Sequence, residues 1–182
     1  EVFLKVGEGR PCTAEPDVAS EVFIGLAKGE RMDYAVQKAV ELGASAIWPF
    51  EGEHTVASPK NSEAKTQRWQ RIAWEAAKQC GRAILPQVHL PVSFEEALAE
   101  ATKQQVALFC YEEGGAALRT VWRGQQSVAV ITGPEGGFSP QEAEQAKAAG
   151  CQPIGLGPRI LRCETAPAAV LAAVMCLSGN LE

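Results

Sequence analysis

The sequence predicts an α/β domain with a mainly parallel sheet and helices on both faces, preceded by a short N-terminal piece of different character. Three observations carry this. Apolar runs alternate with helical periods from about residue 22 to residue 178, the order that builds strand–helix–strand units. VAVIT at 128–132 shows no polar alternation, as expected of a parallel strand covered on both faces. Residues 1–16 break the rhythm and read as the tail of a β-rich neighbour plus a linker around 11–17, leaving 17–182 as the domain. The chain opens mid-pattern at EVFLKV without an initiator Met, so it is expected to continue upstream.

The elements follow in order. VFIGL (22–26) is a strand. Met32, Ala35, Val36, Ala39 and Val40 then recur at helical spacing, and Gly43 supplies a helix stop. AIWPF (46–50) is the next strand. A helix over 62–80 gathers Trp69, Ile72, Ala73, Ala76, Ala77 and Cys80 on one face. QVHLP (87–91) is a short strand and 94–101 a helix; VALFCY (106–111), VAVIT and PIGLG (153–157) are further strands, with helices over 114–122 and 140–149. The last of these has the clearest start: Ser139 as N-cap, Pro140 at the first position and Glu142 completing a capping box, with Gly150 at its end. The final helix, 166–178, is apolar around its circumference, so it is expected to be enclosed on all sides, by the core or by a second subunit.

Composition excludes several classes. The apolar run of the last helix is too short to span a bilayer, and no stretch reads as a signal peptide. Six cysteines without CxxC spacing read as free thiols of a reducing cytoplasm. Two histidines, His54 and His89, argue against a zinc site or a His-based triad, so no metal is expected. A net charge of −5 argues against a sequence-blind nucleic-acid coat but leaves room for a local basic patch.

Two glycine-rich loops, ITGPEGGFS (131–139) and GLGPRILRCE (155–164), follow strands, and ligands of open parallel sheets bind beyond the carboxyl ends of strands. Neither loop carries a Walker or dinucleotide pattern. Glu135 inside the first turn already satisfies a helix N-terminus and would repel a phosphate. The turn suits a neutral or cationic ligand, and S-adenosyl-L-methionine carries a sulfonium and an ammonium with no phosphate. In the second loop Gly155 and Gly157 allow close approach, Arg159 and Arg162 stand three apart, and Ile160 and Leu161 between them suit the wall of an adenine pocket.

Four stretches together, ERMDYAVQKAVELGA (30–44), RWQRIAWEAAKQCGR (68–82), ITGPEGGFSPQEAEQAKAAG (131–150) and LGPRILRCETA (156–166), resemble the RsmE family of 16S ribosomal RNA uridine-N3 methyltransferases, of the SPOUT superfamily. The resemblance covers roughly residues 17–178. It implies a C-terminal trefoil knot, a known exception to the rule against knots, with S-adenosyl-L-methionine bent inside it. It also implies a homodimer through the last helix, an N-terminal PUA-like barrel of which residues 1–16 hold the tail, and 16S ribosomal RNA or the small ribosomal subunit as partner. Carried over residue by residue, Gly133, Glu135, Gly136, Leu156, Gly157, Ile160, Leu161 and Arg162 line the cofactor pocket. Cys163 departs from the family, which has Thr there.

Arg68, Arg71, Glu75, Lys78 and Arg82 recur three and four residues apart, on one helical stripe away from the apolar face. The stripe reads either as a solvated face with an Arg71–Glu75 pair or as a ridge contacting RNA phosphates; the resemblance favours the ridge, with Arg82 foremost. Arg31, Tyr34, Lys38 and Glu41 form a second stripe, in which Lys38 sits near substrate or in a surface pair. For the implied reaction, orientation supplies up to roughly 7–11 kcal/mol. The uracil N3 must lose its proton, and a fixed guanidinium stabilises the charge on the flanking carbonyl oxygens. Arg162 is the first candidate and Arg159 the second; Glu164, Glu135 or water is the base, Glu164 being equally readable as a partner of the helix dipole. The competing readings are a SPOUT relative acting on a tRNA ribose 2′-hydroxyl and an RNA-docking module that binds the cofactor without turnover.

Overall fold

Uninterrupted apolar strands joined by helices favour parallel pairing, and every strand pair among the described residues of the computed structural model is parallel. The structure describes residues 3, 7–9, 12–56 and 61–181. Most of the expected barrel tail at 1–16 therefore lies outside the described residues.

The chain runs β1 (Ala19–Gly25), α1 (Glu30–Glu41), β2 (Ala44–Glu51), α2 (Ser62–Cys80), β3 (Gln87–Val88), β4 (Val92–Ser93), α3 (Phe94–Ala101), β5 (Val106–Cys110), β6 (Ala116–Ala117), α4 (Leu118–Val121), β7 (Ser127–Thr132), α5 (Pro140–Ala148), β8 (Gln152–Gly155) and α6 (Ala166–Leu177). The sheet order is β3-β2-β1-β7-β5-β8-β6, with β4 also on β2. Alternate side chains of one strand go to opposite cores. Val22 and Ile24 of β1 join Val36, Trp69, Val130, Leu171 and Val174 on the face covered by α1, α2 and α6. Phe23 joins Phe50, Phe94, Phe109, Phe138 and Ala143 on the face covered by α3 and α5.

Three expectations are corrected. β1 begins at Ala19, because pairing with β7 and β2 recruits residues that carry no apolar signal of their own. The strand expected at 87–91 stops at Val88, and pairing resumes at Val92 beyond Pro91, which has no N–H to donate. The helix expected at 114–122 shrinks to Leu118–Val121, because Ala116 and Ala117 pair with β8 as an edge strand. Gly115 makes that pairing possible: a Cβ there would fall 2.5 Å from the Pro153 carbonyl oxygen. Within this chain the core covers α6 on one side. Val170, Leu171, Val174 and Met175 are buried, whereas Ala169, Ala172 and Ala173 are half-buried and Cys176 and Leu177 exposed.

Candidate functional site

The two glycine-rich loops sit side by side because β5 alone separates β7 from β8 in the sheet. After Thr132 the chain turns at once: Gly137 N–H donates to the Pro134 carbonyl at 3.0 Å, and Gly137 has φ 70°, a left-handed conformation that favours glycine. Phe138 anchors the turn in the core, its ring centroid 4.3 Å from that of Phe109. Ser139 and Glu142 then start α5 with the predicted capping box. After Gly155 the second loop turns at Gly157, φ 90°, and closes onto α6 through bonds from the Thr165 and Ala166 N–H groups to the Arg162 carbonyl, 2.8 and 3.0 Å.

Between the loops lies a cleft of about 500 Å3, within the range of small-molecule sites. Gly133, Glu135, Gly136, Leu156, Gly157, Ile160, Leu161 and Arg162 all line it, as does Arg159. Glu164 does not. The carboxyl end of β5 adds Cys110, Tyr111 and Glu112, which sequence reasoning missed. Their signal was positional: they end the strand paired with both loop-bearing strands.

Charge in the cleft is arranged in a specific way. Glu135 Oε1 accepts from Arg31 Nη1 at 2.5 Å and from the Lys28 backbone N–H at 3.0 Å. Its Oε2 is buried without a hydrogen-bond partner among the described residues. Arg159 and Arg162 are exposed, and neither side chain enters an ion pair or hydrogen bond among the described residues. Ile160 is 87% exposed, an apolar wall with nothing packed on it.

At the end of the second loop the buried Cys163 thiol donates to Glu164 Oε2 at 3.2 Å. Burial, reinforced by the Glu164 and Glu135 carboxylates, pushes this thiol up to about 12, so it stays protonated at neutral pH. For Glu164, burial acts upward, but its own backbone N–H, the Cys163 thiol and the Arg31 and Arg162 guanidiniums outweigh it and bring the carboxyl below its ordinary value. Glu164 is therefore ionised and, with its carboxyl lowered, a weakened base, and its Oε2 is turned to the Cys163 thiol.

Arg31 is the residue the sequence undervalued. It stands in the first turn of α1, where the positive end of the helix disfavours a cation. That misfit was visible in the sequence; its partner Glu135, 104 residues away, was not.

The expected RNA stripe on α2 separates in two. Arg68, Arg71 and Lys78 are exposed. Arg68 pairs with Asp33 at 2.5 Å. Lys78 pairs with Glu75 at 3.3 Å and lies over the half-exposed Trp74 ring, 4.5 Å from its centroid. Arg82 is corrected: its side chain is 4% exposed, with bonds to Glu15 and to the Val40 and Ala44 carbonyls. The left-handed Gly81 ends α2 and turns Arg82 inward, under the end of α1, where it reaches no phosphate. Lys38 forms a surface pair with Glu41 at 2.7 Å.

The RNA methyltransferase domain family matches residues 14–175. A ribosomal RNA small subunit methyltransferase E of Mesomycoplasma hyopneumoniae is 35% identical over 153 residues, covering 84% of this chain and 67% of the relative. One from Synechocystis is 37% identical over 159 residues, covering 85% and 52%. The chain thus spans between about half and two thirds of these relatives' own lengths. Among solved structures, a ribosomal RNA small subunit methyltransferase E from Neisseria gonorrhoeae bound to S-adenosyl methionine superposes with a TM-score of 0.83 at 34% identity, over 88% of this chain and 66% of that one.

Proposed function

From the premise that this chain belongs to the RNA methyltransferase domain family, we propose that it transfers a methyl group from S-adenosylmethionine to N3 of a uridine in 16S ribosomal RNA. One observation carries the reading: a half-satisfied, shielded carboxylate shares a cleft with two uncommitted guanidiniums. The first suits a cationic donor; the second suits an acceptor that becomes an anion.

The residues fit the donor. The cleft has the volume, Gly133 and Gly157 open its backbone, and Glu135 Oε2 offers an acceptor that no protein group fills among the described residues. When bound, S-adenosylmethionine supplies a methyl carbon activated by its sulfonium. Ile160 and Leu161 cover an apolar surface and exclude water, and Glu135 fixes positive charge at the turn. Arg162, with Arg159 behind it, stabilises the negative charge that grows on the uracil carbonyl oxygens as N3 gives up its proton. The proton goes to Glu135 or to water ahead of Glu164, whose Oε2 already accepts from the Cys163 thiol. Arg68, Arg71 and Lys78 hold RNA phosphates.

The insertion of β8 between β5 and β6, strands consecutive in the chain, supports threading of the C-terminal segment into a knot. The open alanine face of α6 supports a homodimer through that helix. No helix among the described residues is long and apolar enough to cross a membrane, and we place the protein with its ribosomal substrate in the cytoplasm.

The deciding measurement is transfer of labelled methyl to small-subunit RNA and to assembled small subunits, followed by mapping of the modified atom. Label on N3 of one uridine is expected; label on a ribose hydroxyl, or none, overturns the reading.

A further inference from the structure

Arg31 poses a problem that the proposed reaction leaves unsolved. A cation in the first turn of a helix opposes the helix dipole; α1 has no side-chain cap, since its N-cap is Gly29, and of the two acids in its first turn, Glu30 and Asp33, the second is paired with Arg68 and not with Arg31. Arg31 is held there by Glu135, the same acid whose other oxygen is left for the donor. The pair is asymmetric in exposure: the Glu135 side chain is 19% exposed and the Arg31 side chain 44%. Only Nη1 of the guanidinium has a partner among the described residues, so its other N–H groups are free to bond outward. The neighbouring Arg68–Asp33 pair repeats the pattern, a shielded acid holding an exposed guanidinium, and Asp33 belongs to the same first turn of α1.

We propose that Arg31 is an exchangeable counter-ion that makes RNA and methyl donor bind cooperatively through Glu135. With no RNA bound, the guanidinium neutralises Glu135 and repels a cationic ligand arriving at the same carboxylate. A phosphate of docked RNA offers the guanidinium a better partner, because it is doubly accepting and matches the fork of N–H donors. Once Arg31 turns toward the phosphate, the full charge of Glu135 acts on the donor. By linkage, donor binding then favours RNA by the same factor. Arg31 is in this sense a positioning residue: it acts on the donor through Glu135. The inference rests on the reading of the cleft as the donor site.

The test is calorimetric titration of S-adenosylmethionine at low salt, with and without a saturating short oligouridylate, into the wild type, Arg31→Gln and Arg31→Lys. The wild type should bind the donor about tenfold more tightly with RNA present, a coupling of ordinary size. Arg31→Gln should bind it about tenfold more tightly than the wild type without RNA, and RNA should add nothing. Arg31→Lys keeps the charge but not the fork, so RNA should still tighten donor binding there, by less than in the wild type; an RNA effect as large as the wild type's would overturn the role given to the fork. A residue that merely braces the loop would give the opposite sign, weaker donor binding in Arg31→Gln. That result, unchanged donor affinity in Arg31→Gln, or an RNA effect surviving there, overturns the proposal while leaving the donor site intact. Absence of donor binding in all three proteins overturns the reading of the cleft itself.

Discussion

Arg82 at the end of α2 and Arg162 in the loop before α6 carry the same charge, and both fall in stretches whose spacing suggested contact with RNA or substrate. The fold gives them opposite fates. Arg82 is 4% exposed and fully engaged, with two carbonyls of the α1–β2 corner and the Glu15 carboxylate. Arg162 is exposed, lines the cleft, and has no protein partner for its guanidinium among the described residues. A guanidinium whose donors are spent on the protein holds structure; one whose donors are free can do chemistry on a ligand. Sequence spacing cannot separate the two, because it records the residue and not its partners.

The largest expected effect breaks the first arginine. Arg82→Ala removes the partner of Glu15 Oε2 and of the Val40 and Ala44 carbonyls, while Glu15 Oε1 keeps the Ala83 and Ile84 N–H groups, and should cost about 2–4 kcal/mol of stability, measured by denaturant unfolding. At Glu15, burial acts upward, but the Arg82 bond and charge and the Ala83 and Ile84 N–H groups bring the carboxyl below its ordinary value. Its contribution should therefore be complete above about pH 4.5 and disappear as pH falls through the lowered value. Glu15→Gln should flatten that acid limb, and a limb unchanged in the variant would contradict the assignment.

Arg162→Ala should leave the unfolding midpoint and donor affinity nearly unchanged while lowering the single-turnover methylation rate by roughly 10²–10³-fold, the size seen when an anion-stabilising donor is removed. Equal losses in rate and donor affinity would make it a binding residue instead. Arg71→Ala sharpens the contrast on α2 itself. RNA affinity should fall and the slope of log affinity against log salt should shrink by about 0.7–0.9, one phosphate contact. Arg82 variants stable enough to assay should leave that slope alone. The smallest effect belongs to Lys38→Gln, which loses one surface pair with Glu41 and should change stability by less than about 1 kcal/mol, with the methylation rate as the check that Lys38 takes no part in the reaction.

Much of the site was legible because the groups concerned are local. A turn of Gly133, Glu135, Gly136 and Gly137 between an apolar strand and the Ser139 capping box announces a ligand loop from its own residues, and the eight residues that the family resemblance carried onto the two loops line one cavity. The rest was not legible because it depends on which strands become neighbours. Glu112 joins the cleft only because β5 lies between β7 and β8, and Glu164 meets the Cys163 thiol only because its loop turns it that way. The uniform apolarity of α6 suggested enclosure on every side, but periodicity cannot say whether the enclosing surface belongs to the same chain.

The sequence by itself determined the strand–helix alternation, the capping box of α5 and the glycine-rich turns of the two loops, since these follow from bonds and side-chain patterns within a few residues. Only the tertiary structure decided which charges are consumed and which remain available, because an ion pair such as Arg31–Glu135 or Arg82–Glu15 joins residues 104 or 67 positions apart. Its strength depends on burial and distance, quantities that exist only once the sheet has brought those segments together.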